Sequence, residues 1–226
     1  MEPTFWHERW KNSQIGFHQH DVNQQLKRHA TKLAALQAKP RVLVPLCGKS
    51  GDMTYLRTLG YEVAGIELSP IAAHDYFAEQ QRTAAVTQPT KSVACYEADG
   101  VTILCGDFFN VTPEILGPVH AAYDRAALVA LPPETRKRYA AHLTSLLPPG
   151  APVLLVTFDY PQDEMSGPPF AVPPTEVAQL FDQHFDIVLV DNEDGFESSG
   201  KNGRPVFKDR LSRAREQTYV LTRKLQ

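Results

Sequence analysis

The apolar positions change period repeatedly along the chain, and each change marks an element boundary. Val22, Leu26, Ala30, Leu33 and Leu36 recur at helical spacing, and Pro40 ends the helix they predict. Short β-branched or apolar runs predict strands at residues 41–45, 62–66, 92–96, 101–105, 119–123, 153–158, 185–190 and 217–222. Helical periods fall between them: one ends near Gly60 and a second near Arg82, and two more cover residues 134–147 and 176–181. Ser69 followed by Pro70 is a helix start, with a capping hydroxyl and a proline in the first turn. Asp99-Gly100 between two strand runs predicts an antiparallel hairpin. Successive strand–helix units predict an α/β fold, a mostly parallel sheet with helices on both faces. The strand–loop–strand ending predicts an antiparallel last strand. The prolines at 161, 168, 169, 173 and 174 are accompanied by Tyr160 and Phe170, which predicts an ordered loop over a site and not a linker.

With 226 residues, the chain is long enough for one domain with elaborations, so residues 1–226 are expected to form a single domain. Apolar residues at 42% and charged residues at 22% exclude a disordered chain, a fibre and a small disulfide scaffold. A net charge of -3 supplies no general field for nucleic acid or an anionic membrane. The basic residues between 201 and 215 are interspersed with acids and read as a solvated loop, or as an anion-facing rim. The first ten residues lack the pattern of an export signal, and the longest apolar run, 152–158, is far too short to cross a bilayer. Cys47, Cys95 and Cys105 form no C-x-x-C pair, so free thiols in a reducing cytoplasm are expected. No long exposed apolar repeat is visible, so a monomer is expected.

In open α/β sheets, ligands bind at the carboxyl ends of the strands. Three features fall there. Gly48 and Gly51 follow the first strand and let the backbone approach a ligand, or simply form a turn. Glu67 follows the second and is placed to accept hydrogen bonds from vicinal ribose hydroxyls, or is an exposed residue of the Ser69 capping turn. Gly106-Asp107-Phe108 offers a carboxylate and an aromatic ring where an adenine would lie, or a helix-capping Asp. Together these suggest an adenosine-bearing cofactor. The dinucleotide G-x-G-x-x-G and the phosphate-loop pattern are both missing, which favours S-adenosylmethionine over NAD or NADP. His18, His20 and Asp21 have no distant Cys/His pair to complete a metal site, no G-x-S-x-G elbow is present, and Cys47 reads as a small buried residue.

Five blocks carry a resemblance. They are Trp6-x-x-x-Trp10 with Gly16-Phe17-His18-Gln19, Val44-Pro45-Leu46-Cys47-Gly48-Lys49-Ser50, Gly65-Ile66-Glu67-Leu68-Ser69, Tyr123-Asp124-Arg125-Ala126-Ala127-Leu128 and Gly167-Pro168-Pro169-Phe170. In this order they resemble the thiopurine S-methyltransferase family, in its bacterial branch. The resemblance implies a class I methyltransferase domain, a Rossmann-like seven-stranded sheet, with S-adenosylmethionine as methyl donor. It implies that residues 1–21 close over the cofactor site and that Trp10 packs on the cofactor. Leu46 would line the methionine end, Glu67 hold the ribose, and Asp107 with Gly106 border the adenine. Arg125 would face the cleft between cofactor and acceptor, Phe17 would wall the acceptor side, and the loop ending at Phe170 would form part of its lid. A second substrate-facing arginine would be one of Arg204, Arg210 and Arg213.

The activity so implied is methyl transfer to sulfur in a thiopurine or aromatic thiol, and to selenium or tellurium compounds, in detoxification. The competing reading is a non-catalytic protein that sequesters a thiol or metalloid through its three cysteines. A methyltransferase acting on oxygen or nitrogen would share the cofactor site but would need an identifiable base or metal.

Overall fold

The computed structural model describes residues 2–19, 21–34, 39–195 and 211–225. The strand β1 (Arg41–Pro45) is apolar from Val42 onward and buried there, as a strand covered on both faces must be. It feeds α3 (Gly51–Thr58), whose first amides are satisfied by Ser50 and which is preceded in the chain by α1 (Pro3–Lys11) and α2 (Gln24–His29). Then follow β2 (Glu62–Glu67), α4 (Pro70–Glu79), β3 (Ala85–Thr90), β4 (Val93–Ala98), β5 (Val101–Cys105) and α5 (Pro113–Leu116). The second half contains β6 (Ala121–Arg125), α6 (Pro133–Leu146), β7 (Pro152–Asp159), α7 (Pro174–Phe181), β8 (Phe185–Asp194) and β9 (Arg215–Arg223).

These strands form one sheet in the order β3-β4-β5-β2-β1-β6-β7-β9-β8. The central five, β5 to β7, pair in parallel. β9 inserts antiparallel between β7 and β8, as expected of the last strand. All eight strands read from the sequence are present; the seven-stranded sheet that the resemblance implied is there as β5 to β8, and the sheet reaches nine because the β3–β4 pair extends the β5 edge. The hairpin expected around Asp99-Gly100 joins β4 to β5. One face of the sheet packs Leu43, Ile66, Leu104 and Leu155 against Tyr139, Leu143 and Phe181 of α6 and α7. The other packs Val44, Val63, Ile103 and Val156 against Leu26, Met53, Leu56 and Phe77 of α2 to α4. No helix among the described residues is long and apolar enough to cross a membrane.

Several expectations need adjustment. The helix expected over 22–36 is shorter, and it passes into a 3-10 turn at Ala30–Leu33; Leu36 lies outside the described residues. The helix expected to end near Arg82 stops at Glu79. β3 was not expected, because it is an exposed edge strand containing Pro89 and has no alternating apolar face. β8 runs on into the polar stretch read as loop from Asp191, since β9 supplies a ladder partner as far as the Asp194–Arg215 pair. The aromatic segment before residue 12 is helical, started by Pro3 in its first turn.

Candidate functional site

β2 lies on one side of β1 and β6 on the other, so the order of the sheet reverses beside β1. That is where an open α/β sheet opens a crevice at its carboxyl edge. The chain is strained on both sides of it. Leu46, just after β1, has φ 47°, and Ala126, just after β6, has φ 72°. Left-handed backbone at a residue with a Cβ costs on the order of 1–3 kcal/mol and survives only where the surroundings hold it. Around Ala126 the holder is Asp124: one carboxylate oxygen accepts the Leu128 amide at 3.1 Å and the other the Tyr139 hydroxyl at 2.7 Å. Burial pushes the Asp124 carboxyl up to about 6, against the opposing pull of these bonds.

Glu67, at the end of β2, is only 5% exposed, which settles it as a buried group and not an exposed residue of the capping turn. Its Oε2 accepts the Gly48 amide at 2.8 Å and its Oε1 the Ser69 amide at 2.7 Å. The carboxylate therefore ties the loop after β1 to the turn after β2. Burial raises its pKa, and the amides of Ser69, Gly48 and Leu68 work against that rise. The two oxygens offer about four lone pairs, so beside these three amides one remains for a further donor. Gly48 is left-handed at φ 54°, and a Cβ there would stand 3.3 Å from the Trp10 ring. The buried Trp10 of α1 thus lies directly on this loop. Phe17 meets Trp10 and Trp6 edge to face, each at 5.7 Å between ring centres, so the N-terminal segment forms an aromatic cap beside the loop.

Arg125, at the end of β6, donates from Nη2 to Gln19 Oε1 at 2.6 Å, and its Nε lies 3.6 Å from Asp52 Oδ2. Asp52 in turn accepts the Tyr123 hydroxyl at 3.0 Å and the Asn23 amide at 2.8 Å. One buried carboxylate in the first turn of α3 thereby joins the N-terminal segment to β6. Sequence reasoning missed it, because an acid in a first helical turn has an ordinary explanation in the helix dipole. Asp107 caps the 3-10 turn that follows β5, accepting the Phe109 amide at 3.0 Å. The neighbouring Phe108 does not offer its ring to an adenine: it is buried against Tyr139 and His142, because the capped turn directs it into the core.

The Gly167–Phe170 loop is held over the ends of β6 and β7. The Phe170 amide donates to Val129 O at 2.7 Å, and the Tyr160 hydroxyl to Pro169 O at 2.6 Å. Arg213 stands on the same rim, with Nη1 donating to Asp159 Oδ2 at 2.9 Å; Arg204 and Arg210 lie outside the described residues. A separate cleft of about 320 Å³ is lined by His18, Gln19, Lys49, Thr54, Tyr76 and Glu79, among others; Glu67 and Arg125 do not line it. Cys47 is buried across β2, where a Cβ at Gly65 would come within 2.6 Å of its sulfur. Burial and the nearby Glu67 hold the Cys47 thiol well above its ordinary pKa and raise that of Cys105 to about 11. Such thiols are protonated at neutral pH and are poor metalloid ligands. His20, one of the three residues weighed as a metal site, lies outside the described residues. Among the described residues no group of three or more His, Cys, Asp or Glu side chains could hold a metal ion.

The residues present suit S-adenosylmethionine. Two buried polar atoms at this edge, Ser69 Oγ and Arg125 Nε, have no hydrogen-bond partner and can each take one from a bound group, beside the glycine turn at 48 that Trp10 covers. Comparisons with known proteins agree. The chain resembles solved structures in fold, including a Burkholderia thailandensis 1,6-didemethyltoxoflavin-N1-methyltransferase with bound S-adenosylhomocysteine. That match has a TM-score of 0.62 and 16% identity, covering 99% of this chain and 87% of the other. A Methanosarcina mazei S-adenosylmethionine-dependent methyltransferase gives 0.62 and 14%, covering 91% and 100%. In sequence, the chain is 45% identical to a thiopurine S-methyltransferase of Methylococcus capsulatus over 98% of this chain and 97% of that one. It is 44% identical to the Pseudomonas syringae pv. tomato enzyme of the same name over the full length of both. The family model described as Thiopurine S-methyltransferase (TPMT) matches residues 1–224. The chain belongs to the thiopurine S-methyltransferase family and is an S-adenosylmethionine-dependent methyltransferase.

Proposed function

We propose that the protein transfers the methyl group to sulfur in aromatic thiols and thiopurines, and to selenium or tellurium compounds of like softness, as a detoxifying enzyme. The observation that carries this is the meeting of Glu67, Gly48 and Trp10 on one side of the switch point with Arg125 on the other. It sits in a chain matched end to end by relatives that bear the thiopurine name. S-adenosylmethionine, when bound, supplies an activated methyl group on a sulfonium.

The chain's own residues bind and position. Glu67 takes the ribose hydroxyls at the part of its carboxylate that the amide donors leave free. Leu46 lines the methionine end, Asp107 and Gly106 border the adenine, and residues 1–21 close over the site with Trp10 as the ring that excludes water. Phe17 and Phe170 wall the acceptor side. Arg125 holds the negative charge of a thiolate or thiopurine anion. Aromatic thiols are partly ionised near neutral pH, so a strong general base is unnecessary. The rate then comes chiefly from holding two reactants in line, worth roughly 7–11 kcal/mol in favourable systems.

The test is titration of the purified protein with S-adenosylhomocysteine by calorimetry, followed by methyl transfer to a thiopurine in the same preparation. Binding with turnover supports the reading. Binding without turnover of any thiol or selenol rejects the acceptor class, and a folded sample that does not bind rejects the cofactor assignments.

A further inference from the structure

Arg136 of α6 is a fully buried arginine. Its Nη1 donates to both carboxylate oxygens of Glu176 at 2.7 Å, and its Nε to the carbonyl of Leu131 at 2.9 Å. Its Nη2 has no hydrogen-bond partner, and the guanidinium carbon lies 5.9 Å from the centre of the Phe170 ring. Removing a guanidinium wholly from water is costly, and a buried ion pair is often replaceable by apolar side chains with no loss of stability. Stability is therefore a weak reason for this pair to exist, and its surroundings offer a better one. Leu131 ends the segment that follows β6 and Arg125, and Glu176 lies in the first turn of α7. Phe170, between them, donates its amide to Val129 of that same post-β6 segment. Arg136 thus fixes three pieces of chain to one another, and the Phe170 ring, at cation–π distance, is the part of that assembly that is only half-buried.

We propose that Arg136, paired with Glu176, is a positioning residue that sets the Phe170 ring as a wall of the acceptor pocket and so favours flat aromatic acceptors over small aliphatic ones. This rests on the reading of Phe170 as an acceptor-side residue given above. Arg136 touches neither cofactor nor acceptor; it acts through the loop.

The test compares Arg136→Met and the double variant Arg136→Met/Glu176→Leu, which leaves no lone buried charge, with the wild-type protein. For each, S-adenosylhomocysteine affinity is measured by calorimetry, and KM and kcat are measured for a thiopurine and for 2-mercaptoethanol. The expected result is a rise of about tenfold in thiopurine KM, a far smaller change for 2-mercaptoethanol, and cofactor affinity within about twofold. In a Phe170→Ala background the same substitution should add almost nothing, because its route has already been removed. Unchanged thiopurine KM in a folded variant would overturn the proposal. So would equal losses for both acceptors that add fully to those of Phe170→Ala. A wild-type protein that binds S-adenosylhomocysteine but methylates neither acceptor would instead refute the acceptor reading itself.

Discussion

Replacing Glu67 with Ala separates what this carboxylate does for the fold from what it does for the cofactor. In the ligand-free protein the change leaves the Gly48 and Ser69 amides without their acceptor, and each such buried donor costs about 1–3 kcal/mol. Against that, it removes a charge whose burial is unfavourable enough to raise its pKa despite three amide donors. The two largely offset, so the ligand-free variant should be less stable by on the order of 1–3 kcal/mol and remain folded. Cofactor binding has no such offset. Lost charge-assisted bonds to the ribose hydroxyls are worth about 1.5–3 kcal/mol, which is a rise in Kd for S-adenosylhomocysteine of about 10- to 150-fold. Calorimetry on wild type, Glu67→Gln and Glu67→Ala reads this directly. Glu67→Gln should fall between the others, since its amide keeps one acceptor oxygen but turns an NH2 toward a backbone donor. A Kd unchanged within about twofold in folded Glu67→Ala would refute the ribose assignment. A dideoxyribosyl analogue supplies the second check: if Glu67→Ala weakens it as much as the parent ligand, the loss runs through the Gly48 loop and not the hydroxyls. The sign with pH follows from the raised pKa. Affinity in the wild type should fall as pH drops through that value and the carboxylate takes up a proton, and it should be flat in Glu67→Ala.

Three further outcomes are expected. Arg125→Ala should lower turnover of acceptors that bind as thiolates more than of neutral ones, and equal losses in steady-state kinetics would confine Arg125 to a structural or cofactor-facing role. Asp124→Asn should change the pH dependence of stability. The folded carboxyl near 6 against an unfolded value of 3.8 means the wild type is favoured below 3.8 and loses about 3 kcal/mol of that advantage by pH above 6. Urea unfolding of both proteins across this window should show the variant gaining by that amount, and parallel curves would remove the burial argument. Replacing Cys47, Cys95 and Cys105 together by Ala should leave methyl transfer largely intact, because these thiols pack and do not ionise; loss of thiol handling in a folded triple variant would restore the sequestration reading.

The strand–helix alternation, the hairpin at Asp99-Gly100 and the antiparallel last strand were legible because each rests on local signals: β-branched runs, capping residues and a turn dipeptide. β3 was illegible for the opposite reason, since an exposed edge strand buries neither face and leaves no period in its sequence. The same division runs through the site. Glu67 could be found by position alone, at the end of a strand whose burial the sequence announces. Asp52 and Arg136 could not, since each is a charged residue on a helix, and nothing local distinguishes a solvated face from a buried anchor. Their significance lies in partners far along the chain: Tyr123 and Arg125 for one, Glu176 and the Phe170 ring for the other.

The two left-handed residues beside the switch point connect these observations. Leu46 and Ala126 turn the chain sharply off the ends of adjacent strands, and neither has the freedom of glycine. Each turn is followed by a residue or group that a buried carboxylate holds: Gly48 by Glu67, Leu128 by Asp124. A third carboxylate, Asp52, ties Tyr123 and Arg125 to the N-terminal segment. Three acids have therefore been removed from water at one edge of the sheet, at a cost visible in the raised pKa of Glu67 and Asp124. Each fixes backbone or side chain that a cofactor would otherwise have to order on binding. A site built this way would bind without a large entropy of closure in its floor, and the ties through Asp52 and Arg136 extend the same preorganisation to the aromatic segment and the Phe170 loop.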